Sequence, residues 1–193
     1  MMSKQWLLAF ITVSTMGMTG CVSTTQHSQQ PPTVSEPTTC PGTVEPPAEF
    51  AAYLTPTTDD TLLQSALGEP TKGGLCQGKV YKVTQAFTIY RAWNSTNPGS
   101  EKGSWWALYE PQGSTAQYRT NYEICYEWSP IDMMTRCQIA SGTVIVIGTG
   151  QSAYCSEYLT YPTSASQQIY MDNAANSTNE CITYQAVFNW QPL

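Results

Sequence analysis

"GTVIVIGTGQSAYC", residues 142–155, is the stretch on which the fold turns. Its first half, residues 143–148, is the most apolar β-branched run in the chain and reads as the central strand of a sheet. Its second half, Gly148-Thr149-Gly150-Gln151-Ser152-Ala153, fits G-x-G-x-x-A, the glycine pattern that joins a strand to a pyrophosphate-binding helix. The pattern carries that meaning only if a helix of several turns begins at the glycines. Ala153 is succeeded by Tyr154-Cys155-Ser156-Glu157-Tyr158-Leu159-Thr160-Tyr161-Pro162, a run that is β-prone and stopped by proline. A doubly wound nucleotide fold is thereby excluded. Gly148 and Gly150 are expected to be turn glycines at positive φ.

On either side of this stretch the periodicity stays that of strands. "KVYKVTQAFTIYRAW" (79–93) holds two extended runs, and "GSWWALY" (103–109), "NYEICYEW" (121–128), "SQQIYM" (166–171) and "ITYQAVFNW" (182–190) each read as one more. One short helix is expected after Thr58-Asp59-Asp60, ending at Gly68. A second turn or two of helix is expected over residues 129–134, where Ser129 stands as N-cap and Pro130 at the first helical position. The expected fold is therefore α+β and β-dominated: a small disulfide-bonded domain, residues 49–193, with a mixed or antiparallel sheet and one or two short helices.

The N-terminus points to export. Lys4 precedes a short apolar run, residues 6–11, followed by small residues and Met18-Thr19-Gly20-Cys21. That order is the order of a signal segment, too short to span a bilayer comfortably. The last four residues resemble a bacterial lipobox. The resemblance implies removal of residues 1–20, acylation of Cys21 and a membrane anchor of several acyl chains. Val22 in place of Asp resembles an outer-membrane address, and the expected location is the cell envelope. Residues 21–48 are rich in Pro, Thr, Ser and Gln and read as an extended, solvated tether.

Composition removes several classes of function. His27, in the tether, is the only histidine. A His-dependent nucleophile or a His-ligated zinc site is thus excluded from the domain. Once residues 1–20 are removed, fourteen acidic residues face seven basic ones, a balance unsuited to phosphate backbones, so no nucleic acid is expected as partner. Of the seven cysteines, Cys21 is assigned to lipid, and the other six form three expected disulfides. Neighbour order favours Cys40 with Cys76, Cys125 with Cys137, and Cys155 with Cys181. No C-x-x-C occurs, so neither a zinc ribbon nor a thioredoxin-like motif is indicated.

"AFTIYRAW" places Arg91 on a strand between Tyr90 and Trp93, with "KGSWW" close behind. This resembles the first core strand of ADP-ribosyl-transferring enzymes and of the secreted NAD glycohydrolases that share their fold. "GSWWALYEPQGSTAQYR" followed by "YEI" is similar to the second block of the tuberculosis necrotizing toxin type of NAD glycohydrolase. "SASQQIYM" supplies that type's strand Gln followed by Tyr, as Gln168 (or Gln167) ahead of Tyr170. The resemblance implies that Arg91 grips the NAD phosphates, a task suited to guanidinium geometry. It implies further that Trp105 or Trp106 stacks on nicotinamide or ribose, that Tyr170 helps bind NAD, and that Gln168 fixes the ribose hydroxyls or the attacking water. The match covers about half of the domain. The Glu/Gln-x-Glu pair of the transferases is missing, because Ile169 and Tyr170 follow Gln167-Gln168, and this favours hydrolysis of NAD over transfer to a protein. No cofactor is required by such a reaction.

Each residue also has a simpler reading. Arg91 can be a surface residue stacked on tryptophan, and one of Trp105 and Trp106 belongs to the core because strand neighbours face opposite ways. Glu110, Glu123, Glu127 and Asp132 include no pair that spacing singles out. A non-enzymatic surface lipoprotein that binds a protein or carbohydrate through exposed aromatics, and a structural envelope component, stand as the alternatives. The anchor is directly testable. The exported protein should carry acylated Cys21 as its first residue by intact-mass measurement, and Cys21→Ser should move it to the soluble exported fraction. An unmodified Cys21 in the wild type would overturn the anchor.

Overall fold

In a computed structural model of the chain, residues 39–185 are described, and they fold around one antiparallel sheet. The expected signal, Cys21, most of the tether and residues 186–190 of the last expected strand lie outside the described residues. In chain order the elements are α1 (Ala48–Ala51), β1 (Leu54–Pro56), α2 (Asp60–Ala66), β2 (Leu75–Val83), β3 (Phe87–Trp93), a 3-10 turn (Pro98–Lys102), β4 (Trp105–Ala107), α3 (Thr115–Asn121), β5 (Met133–Ile139), β6 (Val144–Gly150), β7 (Ala153–Ser156), β8 (Leu159–Tyr161), β9 (Gln167–Tyr170), α4 (Ala174–Ser177) and β10 (Thr178–Gln185). Eight strands share the sheet in the order β1-β2-β6-β9-β4-β3-β5-β10, and β7 and β8 form a separate hairpin. The chain is thus a β-dominated α+β protein with short helices, as its sequence pattern requires.

Alternation along β6 explains the layering. Ile145 and Ile147 point to one face, where they meet Tyr81, Val83, Ile89, Trp106 and Ile169. Val146 points to the other, against Leu75, Val80 and the α2 residues Leu62 and Ala66. A strand covered on both faces reads as a continuous apolar run. Helix α2 starts where expected: the Asp59 carboxylate accepts the Leu62 N–H at 3.0 Å.

Gly148 and Gly150 are not turn residues. Both lie inside β6, neither at positive φ. Their use is close approach: a Cβ on Gly148 would stand 2.0 Å from the Gln77 carbonyl oxygen. The expected strand over residues 121–128 and the expected helix over 129–134 are also absent. Instead Ser114 caps α3, accepting the Gln117 N–H at 3.1 Å. The chain then runs as a loop with Glu123 and Ile131 at φ 48° and 46°. Arg119 holds this loop by donating to the Ile124 carbonyl (3.1 Å) and the Ser129 carbonyl (2.6 Å). The Ser129 hydroxyl accepts from the Ile131 N–H at 3.2 Å, so it closes a turn rather than a helix.

The chain reaches the sheet earlier than Glu49. Gln167 of β9 donates to the carbonyls of Thr43 and Glu45, both at 2.7 Å, and Lys79 pairs with Glu45 at 2.6 Å. Cys40 is bonded to Cys76, as neighbour order suggests. The other two expected pairs are corrected to Cys125–Cys155 and Cys137–Cys181. Strand pairing decides this: β5 lies beside β10, and an irregularity between Asn179 and Ile182 brings Cys181 opposite Cys137. Peptide mapping of the unreduced protein should recover these three pairs and no Cys125-to-Cys137 peptide. Replacing both Cys40 and Cys76 by serine, which opens a 36-residue loop, should lower stability by about 3 kcal/mol in denaturant melts.

Candidate functional site

The site arises where two neighbouring strands part. β3 and β4 share a single paired position, Tyr90 with Ala107. Beyond it the 3-10 turn pushes them apart, and the Arg91 side chain fills the gap. Its Nε donates to the Ser100 carbonyl at 2.6 Å and its Nη1 to the Trp105 carbonyl. Gly103 makes room, since a Cβ there would lie 2.3 Å from the guanidinium. Burial lowers the Arg91 pKa below its ordinary value, with the Tyr118 hydroxyl acting weakly the other way. Among the described residues the guanidinium has no carboxylate partner, because the only ion pair is Lys79 with Glu45.

Beside this strut is a cleft of about 270 Å³. Arg91 and Ala92 line it from β3, Trp105 and Trp106 from β4, Gln168 from β9, and Tyr118 from α3. Its outer wall is the loop that follows α3, with Tyr122, Glu123, Ile124, Trp128 and Ile131. The structure therefore brings together Arg91, Trp105, Trp106 and Gln168. Trp106 is buried and its indole N–H donates to the Gly103 carbonyl at 2.8 Å, while Trp105 is half-buried. Tyr170 does not line the cleft; its ring lies against Trp105, 4.8 Å between centroids. Gln167 is turned away and holds the entering segment.

The residue that sequence spacing left unassigned is Glu123. It is 2 % exposed. Oε2 accepts from the Gln168 amide at 3.1 Å, and Oε1 is buried with no hydrogen-bond partner among the described residues. Ser164 stands close by, but its hydroxyl donates to the Asn121 carbonyl at 2.8 Å. Burial pushes the Glu123 carboxyl up to about 8, against the opposing pull of Ser164 and Gln168. At neutral pH it is largely an uncharged acid able to donate a proton or a hydrogen bond. Tyr122 beside it is pushed up to about 12, chiefly by burial. Gly150 accommodates the acid, because a Cβ there would lie 1.8 Å from Glu123 Oε2. The available signal was an acid set between Tyr122 and Ile124 in an otherwise aromatic and apolar stretch.

Cys125, Glu127 and Cys155 also gather within 4.8 Å. Two of these three are joined as a disulfide, which leaves one carboxylate as a ligand.

A carboxyl raised on folding reverses the usual carboxylate behaviour. Between pH 4.5 and 8 the native state keeps a proton that the unfolded chain has released, so stability falls as pH rises through that window. The loss is on the order of a few kcal/mol. Melting temperatures measured across the window should show a slope in the wild type that Glu123→Gln flattens. Equal slopes would mean that Glu123 is ionised in the native state. Gly150→Ala should evict the carboxyl and cost about 2 kcal/mol.

No protein-family model, curated protein or solved structure matches the chain.

Proposed function

We propose that the chain hydrolyses NAD at the nicotinamide–ribose bond, and that it does so as a lipid-anchored protein of the cell envelope, held in the outer membrane through Cys21. The supporting observation is convergence. Three separate strands, β3, β4 and β9, bring Arg91, the Trp105-Trp106 pair and Gln168 to one cleft.

Each group has a task in that reaction. Water adds to the ribose C1′, the C1′–N bond breaks, neutral nicotinamide leaves, and the water's proton passes to solvent. The bond-breaking step develops positive charge on the ribose, so positioning and electrostatics carry the catalysis. Arg91 is half-buried and, among the described residues, lacks a carboxylate partner, and a diphosphate would restore charge balance around it. Trp105 offers an aromatic wall for the nicotinamide ring. The Gln168 amide nitrogen is committed to Glu123, which leaves its oxygen to accept from a ribose hydroxyl or from the attacking water. Glu123, held neutral, orients Gln168 without placing a second negative charge beside the diphosphate.

Purified protein should release nicotinamide from NAD, measured by chromatography. Arg91→Lys should weaken NAD binding about tenfold, because the ammonium lacks the planar fork. Gln168→Ala should lower kcat about a hundredfold, while Gln167→Ala, on the opposite face, should leave it nearly unchanged. Absence of nicotinamide release over hours, together with no binding of a fluorescent NAD analogue, would rule out the reading. Activity that survives Arg91→Lys would place the site elsewhere.

A further inference from the structure

We infer that the open groove beside the cleft binds a neutral glycan chain, with the Trp128 ring as its stacking platform. The groove has a volume of about 530 Å³ and runs from the end of α2, across the turn at residues 68–74, to Trp105 and Trp128. Gly74, Trp105 and Trp128 border both the groove and the cleft. The two hollows therefore meet at a pair of indoles. This inference does not depend on the NAD reading.

Trp128 is 53 % exposed, and one edge of its ring packs on the turn at residues 68–74. A Cβ on Gly73, at φ 73°, would stand 3.0 Å from the Trp128 ring. The indole rests on bare backbone there and is open to solvent elsewhere. The turn beneath it is tied down at several points. The Thr71 N–H donates to the Ser152 hydroxyl (2.9 Å), the Gly73 N–H to the Ser152 carbonyl (2.8 Å) and the Gln151 N–H to the Gly74 carbonyl (2.9 Å). Thr71 shares the positive φ of Gly73 and Gly74, a costly conformation for a β-branched residue that persists only where its surroundings enforce it. A turn fixed in advance gives the ring a seat that needs no ordering on binding.

The chemistry around the ring is that of sugar recognition. A pyranose presents a flat face of C–H groups, weakly positive, which matches the negative face of an indole. Its hydroxyls need donors and acceptors at the rim. Ser65, Glu69 and Lys72 line the groove and supply both, and neither charge is in an ion pair among the described residues. One acid and one base make the rim neutral, and the chain's net charge of -6 repels polyanions. Three further exposed rings, Tyr126, Tyr154 and Tyr158, lie on the two segments that Cys125–Cys155 joins.

Calorimetric titration of the purified protein with chitohexaose, a neutral β-1,4-linked hexasaccharide, and with a heparin hexasaccharide tests the inference. Chitohexaose should bind in the millimolar range or tighter, and heparin should not. Trp128→Ala should weaken binding about tenfold, equivalent to about 1.4 kcal/mol, while Trp128→Tyr should retain most of it; both variants are checked for native melting temperature. Absence of chitohexaose binding, binding that Trp128→Ala leaves unchanged, or preference for heparin would each overturn the inference. Chitohexaose binding by a protein that neither releases nicotinamide nor binds the fluorescent NAD analogue would defeat the NAD reading alone.

Discussion

The contact between the Glu123 carboxyl and the bare backbone of Gly150 is the constraint on which the cleft depends. The loop after α3 must cross the open end of the sheet, and it can come close only where a strand lacks a side chain. Gln168, on the strand next to β6, meets the same carboxyl from a second direction. Two residues further on, Cys125 is bonded to Cys155, just past the end of β6. These attachments hold the loop over the β3–β4 gap but not in it, and the space left between is the cleft.

Several groups there are held in states that folding alone would avoid. Glu123 combines positive φ with a buried, half-partnered carboxyl. Arg91 is a desolvated charge bonded to backbone carbonyls. Each costs free energy that an apolar side chain of similar size would save. Elsewhere the core follows the simple alternation of β6. Two such groups at one hollow are what a functional site, rather than a packing optimum, would produce.

The sheet was legible because its information is local. The alternation of Ile145, Val146 and Ile147 and the cap at Asp59 need no partner to be read. The same holds for the separation of Gln167 and Gln168 to opposite faces. What failed is non-local. Residues 121–128 alternate like a strand, but Arg119 and the Cys155 bridge bind them as a loop. Gly148 and Gly150 resemble turn glycines until their neighbours across the sheet are known. Arg91, Trp105 and Gln168 could be singled out by residue type, but their meeting depends on the order of strands. Glu123 was one acid among four, and only burial separates it from Glu110, Glu127 and Asp132.

The crossed connectivity of the bridges bears on how the chain acquires its shape. Cys125 and Cys137 are the nearest neighbours in sequence, yet neither is bonded to the other. Closing a short loop carries a smaller entropy loss than closing a long one, though each doubling of length adds only about 0.6 kcal/mol. During synthesis Cys125 and Cys137 emerge before Cys155, and Cys181 last of all. Cys40–Cys76 can close before Cys125 or Cys137 emerges, but the first new bridge open to Cys125 under oxidising conditions is the non-native one with Cys137. Reaching the native set then requires a thiolate to attack that bridge and exchange it, a slow step without an isomerase. The edge strand β10 cannot be locked to β5 until the final cysteine arrives, so a chain truncated before residue 181 would lack the means to fix its own sheet edge.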